Sequence, residues 1–411
     1  MVPPTDTVAP AVAEPAPGTP TAVTGASTAG SAGPASATPT LDSAPQQLVA
    51  GLLGRADIRL DGARPWDMQL HDPAALERAL AEGNLGLGEA YMAGAWDCER
   101  LDMFFDHLLR AHLDREVQPA RLAWHALQVR LFNRQNRTRA WQVGKAHYDL
   151  GNDFYEAMLD PYMAYSCGYW RDAGSLAAAQ EAKLELICRK LGLQPGMRVL
   201  DIGCGWGSFM AWAARHHGVE CVGVTVSKEQ AAWARERYAG LPLEFRLQDY
   251  RELDERFDAI ASVGMFEHVG HKNHRQYMEV AARCLADDGL FVLHTIGKNR
   301  RESVPDRWID KHIFPNGETP SVGQVGDAID GLFVCEDLHN FGADYDRTLM
   351  AWHDNFEAAW PRFADRLGET FRRKWRYYLL SCAGAFRARE LQLWQWVLSK
   401  DGVRGGYRRP E

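Results

Sequence analysis

The 411-residue sequence lacks three signals that would place it in large classes of protein. Its eight cysteines include no C-x-x-C pair and no His/Cys cluster at zinc spacing, which argues against a structural metal site and favours free thiols in a reducing cytoplasm. No apolar run reaches the ~18 residues that span a bilayer, so we expect no transmembrane helix. The net charge of -8 includes no basic excess, and we expect no nucleic-acid partner.

Residues 1–115 contain no recognisable catalytic or binding motif. Residues 1–43 are almost wholly Ala, Pro, Thr, Ser, Gly and Val, with charges only at Asp6, Glu14 and Asp42. Such a segment buries too little apolar surface to offset the entropy of ordering, so we predict a disordered tail. It also lacks the basic start and continuous apolar core of a secretory signal. Apolar residues at helical spacing then predict a small helical domain over 44–115, with lipid binding as a candidate role.

A basic amphipathic linker is predicted over 116–146. Between Pro119 and Lys145 every charged side chain is a cation, and Trp, Phe and Leu are interleaved with them. Two interpretations stay open. The segment contacts a membrane surface, with cations on lipid phosphates and Trp and Leu inserted shallowly, or it packs on its own protein with a solvated basic face.

From 147 to 411, candidate strands alternate with helical patterns, which predicts an α/β fold with a parallel sheet covered on both faces. The predicted strands are 198–202, 220–225, 243–247, 259–263, 290–295 and 332–338. Ligands of such sheets bind at the carboxyl ends of the strands. The polar residues at those ends are Asp201, Thr225, Asp249, Glu267 and His294.

The most informative stretch is Val-Leu-Asp-Ile-Gly-Cys-Gly-Trp-Gly at 199–207, where an apolar strand pattern turns into a helical one. Glycine at Gly203, Gly205 and Gly207 permits positive φ and close approach of a ligand. A dinucleotide fingerprint needs its third glycine one position later, where this chain has Ser208, so the spacing argues against NAD. The loop resembles that of S-adenosylmethionine-dependent methyltransferases, in which the acid, here Asp201, faces the amino-acid end of the cofactor. A tight turn without a ligand stays open at this point.

The second strand ends without the acid that commonly binds ribose hydroxyls. Thr225, Ser227 or Gln230 would have to make those bonds. After the third strand, Gln248, Asp249 and Tyr250 are placed to meet the adenine, although Asp249 has the alternative role of a turn residue.

Four further stretches place polar groups beside aromatic or apolar ones at predicted strand ends, namely 165–167, 265–268, 294–297 and 340–345. Each by itself fits a structural role, as a helix cap, a core histidine or a packed cysteine. Together they favour a reactive site.

With these stretches the chain resembles the bacterial cyclopropane-fatty-acyl-phospholipid synthases, relatives of the mycolic acid cyclopropane synthases. The likeness runs from about residue 46 onward and leaves the tail unmatched. Its motifs are His-Tyr-Asp-Leu-Gly-Asn-Asp at 147–153, the glycine loop, and the stretches 264–270, 308–317 and 382–389. The resemblance implies a Rossmann-like, seven-stranded class I methyltransferase sheet with a small helical N-terminal domain.

The resemblance also implies a reaction. A cis alkene of a phospholipid acyl chain attacks the sulfonium methyl of S-adenosylmethionine, and a bound bicarbonate then removes a proton from the transferred methyl so that the ring closes. Bicarbonate binding falls to Cys167, Glu267, His294, Tyr345 and the backbone of Ile296, with Glu267 accepting from the bicarbonate hydroxyl or fixing the ring of His294. Tyr165 and Ser166 are assigned to the cofactor. Candidates for a dry lining are Phe266, Phe314 and Phe341.

Two questions stay open at the level of sequence. Cys382 is either a nucleophile or a lining residue, and the second fits better because the reaction needs no covalent intermediate. The acceptor is expected to be an unsaturated phospholipid, met by a cytoplasmic enzyme at the inner membrane face, with a homodimer reasonable. The alternatives are a methyltransferase that makes methyl-branched lipids or acts on a small molecule, and a lipid carrier on a retired scaffold.

Overall fold

The computed structural model describes residues 41–113, 150–301 and 305–410. The predicted linker over 116–146 lies outside these ranges, as does the tail up to residue 40. Both assignments therefore stay predictions. Within the described ranges, no helix combines the length and the apolar character needed to cross a membrane.

The N-terminal part folds as four helices around a two-stranded antiparallel ribbon. The elements are α1 (Ala44–Arg55), β1 (Gln69–Leu70), α2 (Ala74–Glu82), α3 (Asn84–Met92), β2 (Trp96–Asp97) and α4 (Leu101–Arg110). Ser43 caps the start of helix α1: its hydroxyl accepts from the amide of Gln46, while the Gln46 side chain accepts from the Ser43 amide. This reciprocal capping box satisfies two amides that a helix start otherwise leaves unpaired.

The rest of the described chain is built on one seven-stranded sheet in the order β5-β4-β3-β6-β7-β9-β8. Its strands are β3 (Arg198–Ile202), β4 (Glu220–Thr225), β5 (Leu243–Leu247), β6 (Phe257–Val263), β7 (Leu285–Lys298), β8 (Val334–Asn340) and β9 (Leu391–Ser399). Strands β3 to β7 pair in parallel. The predicted Rossmann-like α/β class is confirmed.

The sheet is parallel except at one strand. Strand β9 was not predicted, and it runs antiparallel to both β7 and β8. Its sequence, Leu-Gln-Leu-Trp-Gln-Trp-Val-Leu-Ser, is buried almost throughout and lacks the polar alternation of a half-exposed strand. Short apolar runs of this kind fit a helix or a strand equally well by periodicity.

Helices cover both faces of the sheet. They are α5 (Asn152–Met158), α6 (Leu176–Leu191), α7 (Ser208–His217), α8 (Lys228–Arg237), α9 (His274–Cys284), α10 (Arg307–His312), α11 (Val322–Ile329), α12 (Ala343–Ala359) and α13 (Ala364–Arg387). One apolar cluster joins α6 and α7 to the sheet, and a second joins α9 and α11 to it. The predicted two-sided cover is therefore present.

The long C-terminal helix α13 connects the N-terminal helices to the rest of the chain. Their side chains share one hydrophobic cluster. At Gly384 a Cβ atom would lie 2.6 Å from Cβ of Phe105, so α13 and α4 approach as closely as glycine allows. Arg387 reinforces the contact with an ion pair to Asp102 at 2.6 Å. Whether 44–115 is a domain of its own stays a prediction.

Candidate active site

A cavity of about 360 Å³ opens at the carboxyl ends of the parallel strands. Its wall includes all five of the polar strand-end residues singled out in the sequence: Asp201, Thr225, Asp249, Glu267 and His294. Strands β3 and β4 and the turn after β5 form one side, here called the cofactor end. The opposite side, formed by the ends of β6 and β7 with α12, α13 and β9, is here called the base end.

The glycine turn between β3 and α7 forms the floor of the cofactor end. All three glycines have positive φ, 85° at Gly203, 53° at Gly205 and 81° at Gly207. A Cβ at Gly203 would meet Met265 and one at Gly207 would meet Phe245, whereas at Gly205 the nearest atom would be 3.9 Å away. Close packing therefore requires glycine at Gly203 and Gly207. Gly203 and Gly205 line the cavity, whereas Gly207 does not, and Gly205 leaves open space for a ligand.

Asp201 lies at the end of β3 and is nearly fully buried. Within the described part of the chain, its Oδ1 has no hydrogen-bond partner. Burial raises the pKa of this carboxyl to about 7. A buried acceptor without a partner is costly, and it fits a site whose partner is a ligand.

The turn after β4 is held by its own side chains. The hydroxyl of Ser227 accepts from the amide of Gln230 at 3.3 Å and caps α8. Thr225 Oγ1 accepts from the Ser227 amide at 3.1 Å and donates to Gln230 Oε1 at 3.4 Å. All three residues line the cavity, where a ligand can reach them. Their role at the ribose stays a prediction.

The residues assigned to the adenine, Gln248, Asp249 and Tyr250, also line the cofactor end. Asp249 has the turn role that the sequence offered as one alternative, and its role at the adenine stays a prediction. Its Oδ1 accepts from the amide of Arg251 at 3.0 Å and closes a turn. Its Oδ2 lies 3.6 Å from the Arg251 guanidinium without a hydrogen bond from the described residues.

Glu267 at the base end is held by the neighbouring strand. Its Oε1 accepts from the amide of Ile296 at 2.6 Å, and its Oε2 has no partner among the described residues. Burial raises the pKa of Glu267 to about 7. The Ile296 amide, which the family resemblance assigns to bicarbonate, therefore donates to Glu267 instead.

His294 is oriented by a residue that the sequence analysis missed. Gln395 Nε2 donates to His294 Nδ1 at 3.2 Å, because the register of β7 and β9 places the two residues opposite each other. Glu267 does not fix this ring, which corrects that alternative. The other ring nitrogen, Nε2, has no partner among the described residues. Burial lowers the pKa of His294 well below its usual range, so the ring is neutral.

Tyr345 and Tyr165 complete the polar wall. Burial raises the pKa of Tyr345 well above its usual value, so its hydroxyl keeps its proton. Its ring packs on Phe386 with the ring centres 4.5 Å apart. The hydroxyl of Tyr165 lies 3.0 Å from that of Tyr378, and the carbonyl of Ser166 accepts from Gln180 at 2.7 Å.

The thiol of Cys167 does not point into the cavity, and this corrects its assignment as a side-chain ligand. In the described structure the residue is absent from the cavity wall and is fully buried behind it. Its Sγ lies 3.2 Å from the Gly168 carbonyl oxygen and 3.9 Å from the Thr348 hydroxyl. Burial raises the pKa of the thiol well above its usual value, so the sulfur is not a thiolate.

The apolar lining differs from the one expected. Phe314 lies on the wall, but Phe266 stacks on His274 with ring centres 4.2 Å apart, and Phe341 packs against His339 at 5.0 Å. Part of the remaining apolar wall comes from α12, α13 and β9, through Leu349, Tyr378, Phe386, Leu391 and Leu393. Cys382 lies on this wall too, and burial raises its pKa to about 12, which leaves a neutral thiol.

Two missed residues had a signal in the sequence. Gln395 is a polar residue between Trp394 and Trp396 in an apolar run. Lys183 is a cation four positions from Ala179 and from Ile187, both of which are buried, so it lies on the apolar face of α6. An isolated polar group in an apolar pattern marks a buried polar contact.

Comparison with known proteins gives consistent results along the chain. Residues 135–396 match the family model described as mycolic acid cyclopropane synthetase. The chain is 54% identical over 362 residues to the cyclopropane-fatty-acyl-phospholipid synthase of Escherichia coli, covering 87% of this chain and 94% of that protein.

Solved structures agree. The cyclopropane synthase MmaA2 from Mycobacterium tuberculosis superposes with a TM-score of 0.60 at 34% identity, covering 63% of this chain and 98% of that one. The mycolic acid cyclopropane synthase CmaA1, complexed with SAH and CTAB, gives a TM-score of 0.59 at 34% identity over the same shares of the two chains.

Proposed function

Because this chain belongs to the mycolic acid cyclopropane synthetase family, we propose that it adds a methylene across the cis double bond of unsaturated phospholipid acyl chains. It is an S-adenosylmethionine-dependent methyltransferase. The observation that supports the acceptor assignment is that polar and apolar groups line the same cavity. Unpartnered polar atoms for a cofactor and a base lie in the same space as an aliphatic and aromatic wall for an acyl chain.

The cofactor end fits S-adenosylmethionine, which supplies a methyl group already activated by its sulfonium. Asp201 offers a buried carboxylate oxygen that no described residue binds, and Gly205 leaves the backbone bare toward the cavity. Gln248 and Asp249, which follow β5, offer further polar atoms in the same cavity wall. These residues bind and orient the donor, which is the protein's main contribution when the electrophile needs no activation.

The base end fits bicarbonate, which would supply the proton acceptor. Oε2 of Glu267, which has no partner in the described part of the chain, can accept from an O–H group. With the amide nitrogen of Gln395 facing Nδ1, the proton of the neutral His294 ring lies on Nε2, where it can donate to an anion. The Tyr345 hydroxyl adds a second donor. The set of one acceptor and two donors matches the oxygens of bicarbonate.

The apolar part of the wall serves the acyl chain. Leu349, Leu391 and Leu393 provide aliphatic surface, and Tyr165, Tyr378 and Phe386 provide rings. Aromatic faces stabilise nearby positive charge, and a dry wall keeps water from capturing a carbocation as an alcohol. Cys382 serves here as a neutral lining group.

For the setting of the reaction we propose a cytoplasmic enzyme that meets its lipid at the inner membrane face. The basic, Trp-containing segment 116–146 would supply the electrostatic contact. We also propose that the enzyme forms a homodimer.

The function is tested by incubating the full chain with methyl-labelled S-adenosylmethionine and vesicles of a dioleoyl phospholipid. A fully saturated phospholipid of the same headgroup is the control. We expect label in the extracted acyl chains of the unsaturated lipid alone. Label in neither lipid, in a protein that binds S-adenosylhomocysteine, would contradict the lipid acceptor and favour a small-molecule acceptor. Absence of cofactor binding would favour a lipid carrier.

A further inference from the structure

Lys183 is a fully buried cation in the wall of the cavity at the cofactor end. It lies in the middle of α6, on the face that packs against the sheet. Lysine is rarely buried without a partner because its ammonium loses its hydration. Its place in the fold therefore needs an explanation that packing does not provide.

The protein neutralises this charge only weakly. The Lys183 ammonium donates to the hydroxyl of Ser166 at 3.0 Å, and no carboxylate of the described chain comes within 4.0 Å of it. Of the acids that act on it through space, Asp160 already accepts from the amides of Tyr162 and Ala164, both at 2.8 Å. With respect to the described residues, two of the three donor positions of Lys183 remain for another group.

Asp201 is the second acid that acts on Lys183 through space, and it lies in the same wall. Its Oδ1 has no partner among the described residues. The wall thus carries a cation and an anion, both buried, that do not form an ion pair with each other. An α-amino acid group, with a carboxylate and an ammonium on one carbon, is complementary to such a pair.

We propose that Lys183, together with the Ser166 hydroxyl, binds the α-carboxylate of the cofactor while Asp201 binds its α-ammonium. The inference rests on the proposed function, because it takes S-adenosylmethionine as the ligand. Lys183 is then a positioning residue. It anchors the amino-acid end of the cofactor and so sets where the sulfonium methyl lies relative to the base end.

The matched control is a second lysine of the same helix. Lys190 is also fully buried, and its ammonium lies 3.1 Å from His339 Nδ1, but among the described residues it is not part of the cavity wall. Burial lowers the pKa of both lysines, Lys183 to about 8 and Lys190 to about 7. Substitution of either removes a buried ammonium, and only Lys183 is predicted to touch the ligand.

The experiment measures dissociation constants by calorimetry for three ligands on wild type, Lys183→Met and Lys190→Met. S-adenosylhomocysteine has both amino-acid charges, its decarboxylated analogue keeps only the ammonium, and methylthioadenosine has neither. A charge-assisted hydrogen bond predicts that wild type prefers S-adenosylhomocysteine over the decarboxylated analogue by about 10–100-fold. We expect Lys183→Met to abolish that preference and to change methylthioadenosine affinity less than about twofold. Lys190→Met should keep the preference.

Several results would overturn the inference. Equal weakening of all three ligands by Lys183→Met would assign the residue to structure. If that variant does not fold, wild type can still overturn the inference, because failure to discriminate against the decarboxylated analogue removes the need for a carboxylate partner. If wild type binds methylthioadenosine but shows no such preference, only the role of Lys183 fails. If wild type binds none of the three ligands, the cofactor assignment fails with it.

Discussion

The two ends of the cavity contain the same kind of group in different settings. Asp201 and Glu267 are both buried carboxyls whose pKa burial raises to about 7. Asp201 lies beside a buried lysine and a bare glycine turn, whereas Glu267 is bound on one oxygen by the Ile296 amide and lies near a neutral histidine. In the proposed function, similar burial serves ammonium binding at one end and hydrogen-bond acceptance at the other.

The ends also differ in how the chain builds them. The cofactor end comes mainly from three strand-end turns within 201–250, so its polar groups are close in sequence. The base end joins Glu267 and His294 to Tyr345, Cys382 and Gln395. Its geometry therefore depends on tertiary packing of α12, α13 and β9, and we expect substitutions there to act on turnover more than on cofactor affinity.

The largest expected effect is that of Glu267→Gln. The amide keeps the bond from Ile296 and the volume of the side chain but loses the anionic acceptor. We expect turnover to fall by about 10²–10⁴-fold, the usual range for loss of proton-transfer assistance, with S-adenosylhomocysteine affinity changed less than about threefold. Steady-state assays with vesicles and calorimetry measure the two quantities. An equal loss of turnover and affinity would contradict the assignment of Glu267 to the base end.

Asp201→Asn should show the opposite pattern. Loss of the carboxylate removes the partner of the cofactor ammonium, and we expect affinity for S-adenosylhomocysteine to fall by about 10–100-fold. Turnover at saturating cofactor should change less. A variant that keeps its affinity but loses turnover would break the proposed division of labour between the two ends.

Gln395→Leu tests the base end indirectly, because Gln395 contacts His294 and is not itself on the cavity wall described here. The substitution leaves His294 Nδ1 without its donor, so the ring proton is no longer held on Nε2. We expect turnover to fall by about tenfold with cofactor affinity unchanged. Nitrogen NMR of labelled histidine reports the tautomer directly. Gln392→Leu is the control on the same strand, since the Gln392 amide donates to the Arg389 carbonyl and not to His294.

The smallest effect is expected for Cys382→Ala. The thiol lines the cavity and is neutral, because burial raises its pKa to about 12. A lining role predicts turnover within about threefold of wild type. A loss as large as that of Glu267→Gln would restore the nucleophile interpretation.

The sequence predicted the cofactor end better than the base end, and the reasons are physical. A glycine turn after an apolar strand is a local pattern, so Asp201 and the three glycines were recognisable without a fold. The pairing of His294 with Gln395 depends on a β7–β9 register between residues 101 positions apart. No local pattern specifies such a contact.

The direction of the Cys167 side chain was beyond sequence reasoning for a related cause. Side chains alternate in direction along a strand, but Cys167 lies outside any helix or strand, shortly after Met163, whose φ is 58°. Alternation therefore gives no rule at this position. The structure directs the thiol toward Thr348, into the core.

In the proposed reaction, the base end removes a proton from the methyl group delivered by the cofactor end. Trideuteromethyl S-adenosylmethionine and dioleoyl phospholipid vesicles test it directly by mass spectrometry of the released fatty acids. Ring closure predicts a product that has lost one deuterium of the methyl group and retains two. A product that retains all three would show that the proton left the acyl chain, giving a methyl-branched lipid and contradicting the account.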